Sequence, residues 1–164
     1  VVKREDEPAL GGNATRAGGG GLRAGTAISA KSRDLAIKGI GVEPVEADDA
    51  YQSWRAGSIQ ALPVAPATLA DGVRTTAIGL RTFEVMFANG LVDEIVTVTE
   101  EEIAMAVRVA WTRLHIALEP TGALPVAAYL AGTRAKIRPG RPTGVRLSDG
   151  NANLEVEAEV PRTR

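Results

Sequence analysis

The sequence predicts an α/β fold, a mostly parallel sheet flanked by helices, and three observations carry that expectation. Short β-branched and apolar runs alternate with stretches of helical periodicity, the order that strand–helix–strand units produce. The longest periodic stretch starts at a well-marked helix cap directly after a β-branched run. The composition, 45% apolar but only 4% aromatic in 164 residues, demands a core of Ala, Val, Leu and Ile, which suits a sheet covered by alanine-rich helices. A chain of this length is one ordinary domain and buries roughly two-thirds of the surface its unfolded form exposes.

The elements follow in order. Residues 1–17 mix charges, Gly, Pro and Asn without periodicity and read as an irregular lead-in, with 13–17 (Asn-Ala-Thr-Arg-Ala) a poor strand. After Gly18, Gly19, Gly20 and Gly21, residues 22–32 are alanine-rich and helical. Residues 36–42 form a short apolar strand ended by Glu43-Pro44. A short helix over 47–56 closes at Gly57, where a left-handed cap suits glycine. Residues 58–71, with Pro63 and Pro66, form a loop. Ile95-Val96-Thr97-Val98 is a strand that runs into a capping box, Thr99 accepting from the Glu102 amide while Glu102 reaches back. Ile103, Ala106, Val107, Ala110, Trp111 and Leu114 then recur at three- and four-residue spacing, so the helix buries that face. His115 sits at its end, read as a structural histidine or one favoured by the helix dipole rather than a ligand or base. A second alanine-rich helix spans 121–130 after Glu119-Pro120, and Gly144-Val145-Arg146-Leu147 is a last short strand.

Whole classes of function drop out. With 19 basic and 20 acidic residues the net charge is −1, which gives no field to hold a nucleic acid or an anionic membrane. The absence of cysteine excludes disulfides, thiolate metal sites and thiol catalysis. No apolar run approaches the ~18 residues that span a bilayer, and the first residues have no signal-peptide apolar region. The expected compartment is the cytoplasm.

Four consecutive glycines ahead of a helix form an anion cup when their side-chain-free amides converge on phosphate oxygens. Two alternatives stand beside it. One is a flexible linker. The other is a dinucleotide turn, with Gly19, Gly21 and Ala24 matching G-x-G-x-x-A and Glu43 placed to hold a ribose, although such a turn should follow a buried strand.

What lies downstream selects the cup. GGGGL at 18–22, GVEPVEADDAYQS at 41–53, LADGVRT at 69–75, VDEIVTVTEEEI at 92–103, LEPTGALPVAA at 118–128 and LSDGN at 147–151 stand in one order and spacing. From Gly18 to Asn151 that pattern resembles the carboxy-terminal part of the fold-type II pyridoxal-phosphate enzymes, in the serine/threonine dehydratase and serine racemase group. The resemblance implies the large cofactor domain of such an enzyme, incomplete at its amino-terminal side: a lead-in over 1–17, a phosphate-binding α/β portion over 18–151 and a tail over 152–164.

The same resemblance assigns roles. Gly18, Gly19, Gly20 and Gly21 give amides to the cofactor phosphate, Ser148 hydrogen-bonds the pyridine nitrogen, and Gly72 lies beside the ring. A serine at that nitrogen, rather than a carboxylate, leaves it less firmly protonated and suits elimination of a β-hydroxyl. Glu43, the carbonyl of Ala47 and Asp49 match a site for a divalent cation, Mg2+ or Ca2+, to which they offer hard oxygen ligands. Read without the resemblance, Asp48 and Asp49 are first-turn helix acids favoured by the dipole. Glu119 is either an acid near the active site or a helix-boundary residue.

No catalytic residue is assigned. Family members carry the cofactor as a Schiff base on a lysine in a Ser-x-Lys-x-Arg-Gly-type segment upstream of the glycines, and the lysines here are Lys3, Lys31, Lys38 and Lys136, none in that context. The asparagine-bearing loop that flanks the ring in the family is also missing, and Asp149 replaces the glycine after Ser148. The resemblance therefore implies deamination of hydroxy amino acids such as L-threonine or L-serine to an oxo acid and ammonia, in a complete enzyme that forms a homodimer, with this chain inactive alone. Serine racemase and hydroxyaspartate ammonia-lyase activities are alternatives. A further alternative is a non-catalytic metal- or anion-binding α/β module.

Overall fold

The computed structural model describes residues 12–16, 21–132 and 143–148. Its centre is a four-stranded sheet of β1 (Gly12–Arg16), β2 (Lys38–Pro44), β3 (Glu94–Val98) and β4 (Thr143–Val145), in the order β3-β2-β1-β4. Every pairing is parallel; Arg16 pairs with Val42, Pro44 with Val98 and Ala14 with Val145. The α/β expectation with a parallel sheet holds.

Helices cover both faces. On one lie α1 (Gly21–Arg33), α2 (Asp49–Ala56) and α3, which begins at Leu80–Phe83 and continues as a π-turn over Glu84–Ala88. On the other lie α4 (Glu100–Val109), extended by a π-turn over Ala110–Leu114, and α5 (Pro120–Ala131). The two-residue period of a strand divides the core accordingly. Ile40, Val42, Val96 and Val98 pack with Ile103, Val107 and Leu124 of α4 and α5. Ile95 packs with Ala24, Ala27, Ala50 and Met86 on the opposite side. Met86, Ile95, Ile103 and Leu124 are all essentially fully buried, and each such side chain contributes about 1.5–3 kcal/mol by leaving water.

Several sequence expectations hold and several need correction. The Thr99 capping box is present, with the Glu102 amide on Thr99 Oγ1 at 3.3 Å and the Thr99 amide on Glu102 Oε2 at 2.8 Å. Gly57 ends α2 in the left-handed region at φ 67°. The irregular lead-in is corrected over Gly12–Arg16, which is a strand paired on both sides despite its poor composition; ladder partners, not propensity, decide it. Residues 1–11 and 17 lie outside the described residues, as does 152–164.

Strand β2 runs on through Glu43 and Pro44, and the next helix starts at Asp49 because Val45–Ala47 is a 3-10 turn. The last strand is Thr143–Val145 rather than 144–147. Trp111 and Leu114 do not join the buried face of α4; they are 48% and 42% exposed. The π-turn adds a residue to the local repeat and rotates everything beyond Ala110 off the face that Ile103, Ala106 and Val107 bury. His115 is exposed and takes φ 57°, a left-handed helix end. No helix among the described residues is long and apolar enough to cross a membrane.

Candidate cofactor and cation site

The chain leaves β1, forms α1 and returns as β2 on one side of β1; it later comes back as β4 on the other side. The order therefore reverses between β1 and β4, and in open parallel sheets a crevice opens at such a point, outside the carboxyl ends of the strands. Two of the expected cofactor segments adjoin these strands in the chain. The glycine run follows β1 and leads into α1, whose first residue is Gly21; Ser148 lies three residues after β4 ends at Val145. Gly18, Gly19 and Gly20 lie outside the described residues, as does Asp149. What flanks the glycines fits an anion. The start of α1 carries no acid in its first turn, and a Cβ on Gly21 would meet nothing within 4 Å.

Gly72 is held at the same rim. Its turn, Asp71–Val73, is anchored in the core by Val73 and is exposed at Gly72 itself. The preceding backbone is fastened by side chains rather than by a ladder. The Leu69 amide donates to Glu100 Oε2 at 2.8 Å, and Arg74 gives two hydrogen bonds to the Thr68 carbonyl, at 3.0 and 2.6 Å. The Gly72 amide donates to Thr121 Oγ1 at 3.0 Å, and that hydroxyl donates to Asp71 Oδ1 at 3.3 Å.

Ser148 is half-buried and pinned from two sides. Two residues before it, Arg146 Nη1 donates to Thr26 Oγ1 of α1 at 2.6 Å, which ties this strand exit to the helix that follows the glycines. Its own carbonyl lies on the backbone of α5 at Gly122, where a Cβ would overlap it and would also meet Leu118 Cδ1 at 2.8 Å. Sequence reasoning missed Thr121 and Gly122. Their signal, a Thr-Gly pair behind Glu119-Pro120, is visible but has no chemistry of its own. Glu119 is the residue before α5, in extended conformation, and its side chain does not cap the helix.

Around the start of α2, Glu43, Ala47 and Asp49 are each buried, at 1%, 1% and 2% exposure. Glu43 Oε2 accepts the Tyr51 amide at 2.8 Å, so the strand's carboxylate caps the next helix. Buried and turned this way, Glu43 does not serve a ribose, which removes the dinucleotide alternative. Asp49 Oδ1 is buried without a hydrogen-bond partner. Burial pushes the Asp49 carboxyl up to about 6, its own amide opposing the rise and the charge of Asp48 adding to it. Among the described residues no three His, Cys, Asp or Glu side chains converge. The expected donors, two carboxylates and a turn carbonyl, are hard ligands by type, and the orphaned buried oxygen of Asp49 fits a divalent cation.

Lys31 and Lys38, the two lysines among the described residues, are occupied elsewhere. Both pair with Asp93, Lys31 Nζ at 3.0 Å and Lys38 Nζ at 2.7 Å. Lys38 starts β2 at the amino edge of the sheet, and seven strand residues carry the carboxyl edge about 20 Å away.

The comparisons with known proteins agree with this geometry. The family model described as pyridoxal-phosphate dependent enzyme matches residues 13–149. The chain belongs to that family. It is 40% identical over 147 residues to a serine racemase of Dictyostelium discoideum, covering 89% of this chain and 44% of the racemase. It is 36% identical over 143 residues to an L-threo-3-hydroxyaspartate ammonia-lyase of Saccharomyces cerevisiae, covering 87% and 42%. Among solved structures, a threonine deaminase from T.th. superposes with a TM-score of 0.80 at 41% identity, covering 88% of this chain and 51% of that one. The fold is that of the fold-type II pyridoxal-phosphate enzymes, and the chain spans about half the length of the relatives it matches.

Proposed function

We propose that this chain forms the cofactor-holding part of a pyridoxal-phosphate-dependent ammonia-lyase that deaminates hydroxy amino acids such as L-threonine or L-serine to an oxo acid and ammonia. The observation that carries the proposal is the reversal of strand order between β1 and β4, since β1 leads through the glycine run into α1 and β4 leads to Ser148. In this reading Gly18, Gly19, Gly20 and Gly21 hold the phosphate with backbone amides and the positive end of α1. Ser148 holds the pyridine nitrogen, and Gly72 leaves room beside the ring. The cofactor, when bound, supplies the electron sink that labilises the bonds at the α-carbon. The residues here bind and orient; none of them moves the α-proton.

Glu43, the Ala47 carbonyl and Asp49 hold a divalent cation, Mg2+ or Ca2+, which neutralises two buried carboxylates at the start of α2 and stiffens that corner of the sheet. The complete enzyme is a cytoplasmic homodimer, and this chain alone turns nothing over because it lacks the Ser-x-Lys-x-Arg-Gly-type segment and its two described lysines are paired with Asp93. A second reading, serine racemase or hydroxyaspartate ammonia-lyase, is favoured by the names of the relatives at 36–40% identity.

The purified chain is titrated with pyridoxal phosphate and then incubated with L-serine and L-threonine while oxo acid is measured. Saturable binding that weakens in Ser148→Ala, with no oxo acid formed, is expected. No binding would remove the cofactor reading, and turnover by this chain would remove the claim that it is inactive alone. Calorimetry with Mg2+ on the wild type, Glu43→Ala and Asp49→Ala tests the cation, and equal heats in all three remove it.

A further inference from the structure

We propose that the first turn of α5, Thr121 and Gly122, is a positioning device that sets the gap between the Gly72 turn and Ser148, and hence the seat of the pyridine ring. The inference rests on the cofactor reading above and names two residues which that reading leaves out. Both are buried, Thr121 completely, at the amino end of the helix. They are consecutive, and they face the two walls in turn. Thr121 Oγ1 takes the Gly72 amide at 3.0 Å and gives its own proton to Asp71 Oδ1 at 3.3 Å, so one hydroxyl fixes both residues of the tip. At Gly122 the missing side chain lets the Ser148 carbonyl lie against the helix backbone; a single added carbon would occupy the place of that carbonyl.

The arrangement is rigid by composition. Nine successive residues of α5, from Pro120 to Ala128, are buried, and the helix packs against all four strands. Any displacement of its first turn is therefore transmitted to the 71–73 turn and to residue 148 rather than absorbed by solvent. Thr121 is the only hydroxyl that the described hydrogen bonds aim at the Gly72 amide, so its loss strands a backbone donor. On the far side, Arg146 anchors the strand exit to α1 through Thr26. Ser148 can then move away from α5 only by straining that bond, and a Cβ at 122 forces such a move.

The test uses this chain and pyridoxine 5′-phosphate, which carries the ring and phosphate but forms no bond to an amine, with inorganic phosphate as the probe of the glycine run alone. Affinities are measured by calorimetry, and the titration of the bound ring nitrogen is followed in the absorption spectrum. The wild type should prefer pyridoxine phosphate. Gly122→Ala and Thr121→Val should each weaken its binding about tenfold, the loss of roughly one hydrogen bond, while inorganic phosphate binding stays unchanged. Gly122→Ala should also return the ring nitrogen's titration toward that of the free compound, because Ser148 has moved, and Thr121→Ser should restore the wild-type affinity. Variants that keep both the preference and the ring titration overturn the positioning role and leave the cofactor reading standing. A wild type that binds both probes alike overturns the cofactor reading and this inference with it. If Gly122→Ala does not fold, the Val and Ser variants of Thr121 decide in the same terms.

Discussion

Replacing Asp93 by asparagine removes one negative charge from a junction of three segments. Oδ2 of Asp93 accepts the Gly39 amide at 2.8 Å and Lys31 Nζ at 3.0 Å, and Oδ1 takes Lys38 Nζ at 2.7 Å. Asparagine keeps an acceptor for Gly39 and loses both ion pairs. The two pairs are unequal, because the Lys38 side chain is 66% exposed and that of Lys31 only 10%. An exposed pair is worth about 0–1 kcal/mol, whereas leaving a mostly buried ammonium short of its partner costs about 1–2 kcal/mol. The sum, about 2 kcal/mol, lowers the melting temperature of a domain this size by roughly 4–8 °C.

The pH dependence of that loss has a definite sign. Burial alone would raise the Asp93 carboxyl, but the hydrogen bonds from Lys38, the Gly39 amide and Lys31, with the charge of Lys31, outweigh it and hold the group below the usual carboxylate range. A depressed carboxylate adds stability above its unfolded value, about 3.9, and loses it as pH falls through the lower folded value. The gap between wild type and Asp93→Asn should be full at pH 7 and narrow steadily below pH 4. At 1 M salt the Lys38 share should vanish, the screening length there being about 3 Å. Calorimetric melts at pH 7, 4 and 3 check this. A variant within 1 °C of the wild type at pH 7 and low salt, or a gap undiminished in acid, refutes the reasoning.

Three further outcomes are expected. Thr99→Ala removes half of the capping box at α4 and should cost about 1 kcal/mol in urea unfolding, with Thr99→Ser losing less. Asp49→Asn should be more stable than the wild type at pH 7.5 without divalent cations, by up to about 2 kcal/mol once solvent screening is discounted, and equal to it at pH 3.5. The raised carboxyl is mostly protonated in both states there, and the cost of its burial builds up as pH climbs from about 3.9, where the unfolded chain ionises, to about 6. His115→Gly should stabilise the fold by about 0.5–1 kcal/mol and raise the melting temperature slightly, because φ 57° strains any residue with a Cβ; a lower melting point would mean that the imidazole makes a contact worth more than the strain.

Much of this architecture was legible in the residues, and the rest was hidden for identifiable reasons. Capping chemistry is local, so Thr99, Glu102 and Gly57 announced their helix ends correctly. Residues 12–16 did not announce a strand, because Gly, Asn and Ala disfavour one locally and the segment is held by β2 and β4, neighbours 26 and more residues away in the chain. The π-turns at Glu84–Ala88 and Ala110–Leu114 break the 3.6-residue period on which the reading of Trp111 and Leu114 relied. At the site, landmarks carried by glycine, serine and carboxylates could be matched in order. Thr121 and Gly122 could not, since what they do depends on a carbonyl and an amide brought in by distant segments.

The burial of α5 from Pro120 to Ala128 has a consequence for motion. A helix with water on one side can fray or swing while the sheet stays intact, and its amides then exchange by local opening. One enclosed from Pro120 to Ala128 has no partial opening available to it, and its amides exchange only when the whole domain opens. The first turn of α5, with Thr121 and Gly122, is thus among the last of the described segments to loosen, whereas the exposed turn at Gly72 and the exposed start of α1 at Gly21 can open first.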